Sequence, residues 1–246
     1  MLVSTPAIIL HAFPYGDTSK IVRLATRDLG VQSVIAKGAV RPKSPFGARL
    51  QAMSEGTAHL YHRSHRDLQT LSAFDVTNQH ASLAAEMRRY AAAAALAELV
   101  LRFAHEEPQP VVYDGLAGAL AALSEVPSEA VPYAALAALW HEIVLLGFAP
   151  TVDACVRCRG TLADRTPFSL AEGGLLCARC GRGAGGGALR GDDRAALHAF
   201  AAGRWDAPPL PAPHLAAHRR LLVRFIQRHV ADDRAMPALA FWEGLT

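Results

Sequence analysis

The sequence predicts an α+β protein in which a β-rich domain is followed by a helical domain. Short β-prone runs separated by turn residues fill residues 1–80, whereas helical periodicity dominates residues 81–246. The only four cysteines form two C-x2-C pairs, and both pairs lie inside the helical region at residues 153–182. A chain of 246 residues is long enough to give each domain its own core.

The first eighty residues contain five runs of ordinary strand length, separated by turn formers such as Gly, Pro and Asp. The predicted strands are residues 7–13, 19–26, 31–37, 57–63 and 68–76. Five strands in so short a stretch predict a small β-barrel, and the OB fold has that strand count. An SH3-like barrel is the alternative.

Beyond residue 80 the pattern predicts helices at residues 83–105, 112–123, 133–146, 192–202 and 215–230. In the first of these helices an apolar stripe recurs at three- and four-residue spacing, formed by Tyr90, Ala94, Ala97, Leu101 and Ala104. The glycine-rich segment 183–191 is expected to be flexible. We therefore expect an OB-fold domain over 1–80 and one helical domain over 81–246 that contains the cysteine module.

The cysteines follow the spacing C-x2-C-x18-C-x2-C, formed by Cys155, Cys158, Cys177 and Cys180. Each pair bends into a tight turn that directs two thiolates at one point, so the two turns supply a closed tetrahedral shell for Zn2+. A closed shell leaves no position for water, which predicts a structural ion and not a catalytic one. Disulfides suit secreted proteins, but residues 1–15 lack a signal-peptide pattern, and a redox centre needs only one C-x2-C pair.

Positive charge is concentrated in the first domain although the net charge of the chain is only +3. Residues 1–80 hold nine Lys or Arg against five Asp or Glu, and the remainder holds sixteen against seventeen. The segment 35–49 contains no acidic residue and four cations, Lys37, Arg41, Lys43 and Arg49. A basic, irregular loop beside a small barrel suits contact with phosphates, and a merely solvated loop is the alternative.

Other cations extend this predicted nucleic-acid surface onto the strands. Arg23 and Arg27 share one face of the second strand, and Arg63 follows Thr57, His59 and Tyr61 on one face of the fourth. Lys20 is a further candidate contact. In the last predicted helix, arginines at i,i+4 steps form a stripe that is either solvated or a docking surface for an acidic partner. That stripe consists of Arg220, Arg224 and Arg228.

The sequence contains no convincing catalytic motif. His141-Glu142 begins like a zinc-protease helix, but Leu145 stands where the second histidine belongs. Nucleophile-elbow, phosphate-loop and deaminase signatures are absent from the sequence. The longest uninterrupted apolar stretches, such as residues 90–97, are too short to cross a membrane. We therefore expect a non-enzymatic, cytoplasmic protein without a membrane partner.

Four features in their order along the chain carry a family resemblance. They are residues 14–19 (PYGDTS), residues 36–39 (AKGA) leading to 41–44 (RPKS), residues 67–71 (DLQTL), and the four-cysteine module in a helical region. With these features the chain resembles the bacterial RecO family of DNA repair proteins, the recombination mediators that work with RecR and RecF. The resemblance covers most of the chain.

The resemblance implies an OB fold and a helical domain with a zinc-finger-like insertion. It implies binding of single- and double-stranded DNA, annealing of complementary strands, and assistance in loading RecA onto DNA coated by single-strand-binding protein. The partners it implies are RecR, RecF, RecA and the acidic C-terminal tail of single-strand-binding protein, with location at the nucleoid. DNA contact is carried over to Lys37, Arg41 and Lys43, with Arg49 as a further position. Val40 stands where relatives often have a basic residue, which predicts weaker binding.

Two other classes of function remain alternatives at this point. One is an RNA-binding OB protein with a zinc ribbon that acts in ribosome assembly or translation, because phosphate contacts alone do not distinguish RNA from DNA. The other is a non-catalytic scaffold for protein interactions whose basic loop is only solvated. Annealing of DNA through a coat of single-strand-binding protein distinguishes the mediator from both.

Overall fold

The computed structural model describes residues 1–183, 187–204 and 210–245. The chain falls into two compact units, Met1–Glu125 and Val126–Thr246. The first unit contains five strands and three helices, and the second contains a small sheet and the remaining helices.

The first unit is built around a closed five-stranded barrel. Its strands are β1 (Leu2–Tyr15), β2 (Ser19–Thr26), β3 (Gly30–Ala36), β4 (Glu55–Tyr61) and β5 (Leu68–Asn78). They pair in the order β1-β2-β3-β5-β4, and β4 closes the barrel on β1. The β3–β5 pair is parallel and all the others are antiparallel. The predicted OB-like barrel is therefore confirmed.

Alternate residues of each strand fill the barrel, as period-two patterning requires. The core contains small and branched side chains together with one large ring, and its main members are Ala7, Ile9, Val22, Leu24, Val34, Ala58, Leu60, Leu71 and Phe74. Strand β1 begins five residues before the predicted run and takes in Pro6 and Pro14. Pro6 is tolerated because pairing with β2 starts at Ala7, while the Pro6 carbonyl accepts a hydrogen bond from the backbone N–H of Arg27 (3.0 Å).

Three helices follow the barrel in the first unit: α1 (Ala81–Ala85), α2 (Met87–Phe103) and α3 (Pro110–Glu125). The predicted helix 83–105 is interrupted at Glu86, whose backbone is extended (φ −132°, ψ 122°). The predicted apolar stripe of α2 was wrong. Tyr90 is 45% exposed, whereas Leu96, Leu99 and Val100 are buried. An alanine-rich helix has no pronounced apolar face, so its sequence only weakly determines which face is buried.

The second unit begins with α4 (Val131–Leu145) and a three-stranded sheet of β6 (Thr166–Ser169), β7 (Gly174–Leu175) and β8 (Ala188–Leu189) in the order β7-β6-β8. It continues with α5 (Gly191–Ala201), α6 (Ala212–Phe225) and α7 (Pro237–Gly244), and a π-helical turn, Ile226–Val230, extends α6. Helices α5 and α6 pack on the almost fully buried α4. Ring contacts join α4 to α6 through Trp140 and Phe225, at a centroid distance of 5.1 Å.

The sequence did not predict the three-stranded sheet or α7. The strands of the sheet are only two to four residues long, too short for alternation to be visible. The predicted flexible segment 183–191 falls partly on residues 184–186, which lie outside the described residues, and its end forms β8 and the first turn of α5. Within the described part of the chain, no helix combines the length and apolar character that crossing a membrane requires.

The structure changes from strands to helices near residue 80, which is where the sequence predicts a domain boundary. The boundary itself stays a prediction. The two compact units divide after Glu125 and not at residue 80, because α2 packs against β1 and β2. The backbone N–H of Val31 also donates to the carbonyl of His105, just after α2 (3.0 Å).

Candidate nucleic-acid interface and metal centre

The basic segment after β3 is fixed to the barrel by buried apolar side chains. Ala39, Phe46 and Leu50 belong to the barrel core, and residues Gly47–Arg49 form one 3-10 turn. The backbone N–H of Val40 donates to the carbonyl of Thr18 (2.9 Å), which holds the segment against the β1–β2 turn. We call residues 37–49 the basic loop. Its backbone path is therefore defined although it contains little regular structure.

The cations of the basic loop are all on the outside. Lys37, Arg41, Lys43 and Arg49 are exposed. In the described residues none of these four cations lies within 4.0 Å of a carboxylate oxygen. Gly38 adopts a left-handed φ of +71°, which lets the chain turn sharply between Lys37 and Arg41. The loop thus presents four positive charges that no carboxylate of the described residues neutralises.

The other predicted contacts are placed less uniformly. Arg27 forms a bidentate ion pair with Asp114 of α3, with Nε–Oδ1 at 2.8 Å and Nη2–Oδ2 at 3.0 Å. Its guanidinium, through this hydrogen bond, keeps the pKa of Asp114 below its usual range. Arg23 is half-buried and donates to Ser33 Oγ (2.7 Å), Lys20 is half-buried, and Arg63 is exposed. Of these four, Arg27 and Arg63 are exposed, but the guanidinium of Arg27 is already paired with Asp114.

The outer face of β4 carries the predicted polar and aromatic side chains. Gly56, Ala58 and Leu60 are buried, so the alternate residues Thr57, His59 and Tyr61 lie on the opposite face. His59 joins three strands, because its Nδ1 is 2.7 Å from Ser4 Oγ and its Nε2 is 3.0 Å from Asp75 Oδ2. This histidine therefore ties the sheet together through its ring nitrogens.

Sequence reasoning missed an aromatic row near the end of β1. His11 is exposed, Phe13 is 38% exposed and Tyr15 is 52% exposed. From the sequence, residues 7–13 are predicted as an ordinary strand, in which alternate residues lie on the same face along its whole length. A bulge between Ile9 and His11 changes the side to which odd-numbered residues point, and sequence periodicity gives no sign of it.

The second unit contains a cleft of about 570 Å3 lined by arginines and apolar side chains. The cations at its wall are Arg165, Arg190, Arg220 and Arg224. Phe168, Leu170, Leu189 and Leu221 supply apolar surface. Of the predicted arginine stripe, Arg220 and Arg224 line the cleft, whereas the exposed Arg228 is not among its lining residues.

A small polar network lies in this cleft. Asp193 Oδ1 is 2.7 Å from Nδ1 of His214 and 3.4 Å from Nε2 of the buried His218. Burial raises the pKa of Asp193, but the His214 hydrogen bond and the two imidazoles outweigh it, so that this pKa is lowered overall. Burial also lowers the pKa of His218. The network places the negative charge of the Asp193 carboxylate among the positive charges of the four arginines that line the cleft.

The four cysteines come together at one point. The sulfur atoms of Cys155, Cys158, Cys177 and Cys180 lie within 4.8 Å of one another, and Cys158 Sγ is 3.7 Å from Cys177 Sγ. Four bonds of about 2.3 Å at tetrahedral angles require neighbouring sulfurs about 3.8 Å apart. The cluster therefore fits a tetrahedral metal ion.

Backbone hydrogen bonds shape each C-x2-C turn. The N–H of Arg159 donates to the carbonyl of Cys155 (2.8 Å), and the N–H of Gly181 donates to that of Cys177 (2.8 Å). Arg159 takes a left-handed φ of +58°, which returns the chain so that Cys155 N–H reaches the Gly160 carbonyl (2.9 Å).

An arginine holds the two turns together. Arg157 pairs with Glu172, with Nη2–Oε1 at 2.6 Å, and it also donates to the Cys180 carbonyl (3.2 Å). Backbone N–H groups of Cys177 and Cys158 lower the pKa of the Cys155 thiol, whereas hydrogen bonds with the Cys158 and Cys177 thiols raise the pKa of the Cys180 thiol. The thiol of Cys155 is thus prepared for the deprotonated state that metal binding requires.

The fold and the cysteine cluster define a class of protein in which an OB-like barrel is joined to helices that carry a metal-binding module. Family models match both halves: "Recombination protein O N terminal" over residues 1–80 and "Recombination protein O C terminal" over residues 84–235. The chain therefore belongs to the RecO family of DNA repair and recombination proteins, and the resemblance drawn from the sequence is confirmed.

Curated relatives support the same assignment. The DNA repair protein RecO of Salinibacter ruber is 36% identical over 180 residues, which is 71% of this chain and 66% of that protein. The DNA repair protein RecO of a Nocardioides species is 31% identical over 251 residues, covering 99% of this chain and 100% of that protein. That of Anaeromyxobacter dehalogenans is 29% identical over 236 residues, covering 93% and 91%.

Proposed function

We propose that this chain is a recombination mediator that binds single- and double-stranded DNA, anneals complementary strands, and assists RecA loading on DNA coated by single-strand-binding protein. The observation that carries this proposal is the basic loop. Its four exposed cations have no carboxylate partner among the residues that the structure describes, and they stand on an OB-like barrel in a member of the RecO family. Unneutralised Lys and Arg displace the counterions of a phosphate backbone, so such a loop binds nucleic acid with strong salt dependence.

Annealing follows from the same electrostatics. Two complementary strands repel each other through their phosphates, so a protein that neutralises one backbone lowers the cost of bringing the second strand close. Contacts to phosphate leave the base edges free to pair. In this role Lys37, Arg41, Lys43 and Arg49 hold a strand by its backbone, and no bond is made or broken by the protein. The proposed role is therefore not enzymatic.

We also propose that the arginine cleft of the second unit receives the acidic C-terminal tail of single-strand-binding protein. An acidic peptide needs cations for its carboxylates and an apolar surface for its other side chains. Arg220 and Arg224 beside Leu221 supply both chemistries in one concave site. RecR, RecF and RecA are further proposed partners that rest on the family alone. DNA binding would place the chain at the nucleoid.

For the cysteine cluster we propose a structural Zn2+ held by Cys155, Cys158, Cys177 and Cys180. Thiolates are soft ligands that favour zinc, and the sulfur spacing agrees with tetrahedral geometry. With four protein ligands the ion has no open position for substrate or water, so it stabilises the module.

The test is an annealing assay with complementary DNA oligonucleotides, with and without a coat of single-strand-binding protein. We expect the chain to accelerate annealing of both bare and coated strands, and matched RNA strands to anneal more slowly. The loop variant Lys37→Glu/Arg41→Glu/Lys43→Glu is expected to lose the acceleration. A wild-type chain that leaves the annealing rate of bare DNA unchanged contradicts the proposal.

A further inference from the structure

The aromatic row of β1 arises from one irregularity in the barrel. Before the bulge, Thr5, Ala7 and Ile9 point into the barrel and are buried. After it, the register changes from Ile9 opposite Leu24 to His11 opposite Arg23. Because Leu24 is buried and Arg23 is only half-buried, residues 11, 13 and 15 now lie on the outer face.

The three rings stand in line along the strand. Residues two apart on one face are separated by about 6.8 Å in an extended strand. The ring centroids of His11 and Phe13 are 5.6 Å apart with an interplanar angle of 34°. Tyr15 continues the row at the end of β1 and is the most open of the large apolar side chains there. The faces of these rings are thus not fully covered by packing in the first unit.

The neighbouring strands extend the row into a platform with both apolar and basic parts. Phe13 lies opposite Ile21 of β2, and Ile21 lies opposite Ile35 of β3, so one apolar line crosses three strands. In the adjacent line Arg23 lies next to His11 and is oriented by its hydrogen bond to Ser33.

The basic loop lies beside the same platform. Its Val40 N–H bonds to Thr18, in the turn that directly follows Tyr15. Unpaired bases have a stacking face and phosphates that carry charge, whereas the bases of a duplex are already stacked on each other. A row of exposed rings bordered by cations therefore suits a single strand and offers little to a duplex.

We propose that His11, Phe13 and Tyr15 form a base-stacking subsite that selects unpaired, single-stranded nucleic acid, with the basic loop holding the adjoining phosphates. The subsite rests on the proposed function, because it gives the nucleic-acid surface a preference for single strands that the loop alone does not provide. It also gives a role to three side chains that the sequence analysis had not selected. Stacking on such rings tolerates any base sequence.

The experiment compares three fluorescent ligands of equal length: a single strand, a duplex, and an abasic single strand that keeps the phosphates but lacks bases. Affinity is measured by anisotropy over a salt series for the wild type and for Phe13→Ala/Tyr15→Ala. The matched control is Tyr90→Ala/Val111→Ala, which removes two exposed side chains of α2 and α3 in the same unit, at 45% and 61% exposed, neither of which belongs to the proposed nucleic-acid surface.

We expect Phe13→Ala/Tyr15→Ala to lose about tenfold to a hundredfold in affinity for the single strand, with the duplex and abasic ligands changed less than about twofold. Its salt dependence should match that of the wild type, because no charge is removed. The control variant should bind all three ligands as the wild type does.

Equal wild-type affinity for the abasic and the base-containing strand overturns the subsite. So does a loss in Tyr90→Ala/Val111→Ala that equals the loss in Phe13→Ala/Tyr15→Ala. Either result with salt-dependent binding intact leaves the proposed function standing. If none of the three ligands binds with salt dependence, the proposed function itself is contradicted.

Discussion

The basic loop of the first unit and the cysteine cluster of the second unit differ in how closely each is linked to the folding of its own unit. The first unit has a closed barrel filled with apolar side chains, and the charged side chains of its basic loop are all outside. The second unit holds a four-cysteine cluster and buries the ionisable Glu142. Charge in the basic loop can therefore be changed without affecting the barrel core, whereas the second unit contains a cysteine cluster that could hold a metal ion and a buried carboxyl group.

The strongest test of this contrast is metal removal. Chelation, or the substitution Cys155→Ser, should unfold the cysteine module, because four thiolates about 4 Å apart repel without an ion and structural zinc sites contribute on the order of 10 kcal/mol. All three tryptophans, at positions 140, 205 and 242, lie within Val126–Thr246, so tryptophan fluorescence reports on the second unit alone. We expect that signal to shift on chelation and to recover when Zn2+ is added back.

The first unit contains no cysteine, and oligonucleotide binding through the basic loop should largely survive this treatment. A chelated chain whose tryptophan spectrum and melting temperature are unchanged would contradict a structural metal. Loss of oligonucleotide binding from a chain whose second unit remains folded would place the cysteine module in contact with nucleic acid.

The buried Glu142 makes the second unit sensitive to alkali. Burial raises its pKa from 4.5 to about 8. Below about pH 4.5 both the folded and unfolded states carry the proton, and no penalty arises. Between about 4.5 and 8 the unfolded state ionises while the folded state stays protonated, so stability should fall as pH rises, by up to about 5 kcal/mol in total.

Urea unfolding followed by tryptophan fluorescence at pH 5, 7 and 9 measures this effect. Glu142→Gln should remove most of the decline because it cannot ionise. Glu129→Gln, an exposed acid in the same unit, is the control and should keep the wild-type profile. Parallel pH profiles for wild type and Glu142→Gln would show that Glu142 is not the group that titrates.

Two triple charge reversals compare the units directly. Lys37→Glu/Arg41→Glu/Lys43→Glu changes the net charge by six, and so does Arg220→Glu/Arg224→Glu/Arg228→Glu. We expect the loop variant to bind a duplex about a hundredfold more weakly, with the slope of log affinity against log salt reduced by about 2.7, since each phosphate contact contributes about 0.9. The helix variant should keep most of its duplex affinity and lose binding of an acidic peptide.

Both affinities are measured by anisotropy with labelled duplex and labelled peptide. If the two variants lose duplex affinity equally, the loss follows net charge and not the basic loop. If the helix variant still binds the peptide, the arginine cleft is not its site.

Patterns of residues allowed the barrel and the cysteine cluster to be predicted because each depends on short-range regularity. Period-two alternation identified the five strands, and the C-x2-C spacing identified the ligands. Features that depend on tertiary packing were not accessible. The bulge that exposes Phe13 and the pairing of Arg27 with Asp114 eighty-seven residues away have no local signature. The same holds for the position of Arg165 and Arg190 beside the predicted stripe in the cleft. The buried face of α2 could not be predicted for the same reason, because alanine packs equally well on any face of a helix.

The smallest expected effect concerns the cation that the structure already neutralises. Arg27 was predicted from the sequence as a nucleic-acid contact, but Asp114 occupies its guanidinium with two hydrogen bonds. Arg27→Ala should therefore change duplex affinity by less than about twofold, whereas Lys37→Ala should show the full effect of one lost phosphate contact.

Asp114→Asn removes the carboxylate charge that competes with phosphate. It should strengthen binding slightly and steepen the slope of log affinity against log salt by up to about 0.9. Anisotropy titrations over a salt series measure all three variants. If Arg27→Ala weakens binding as much as Lys37→Ala does, Arg27 exchanges Asp114 for phosphate in the complex, and the interface extends from the basic loop along β2 to α3.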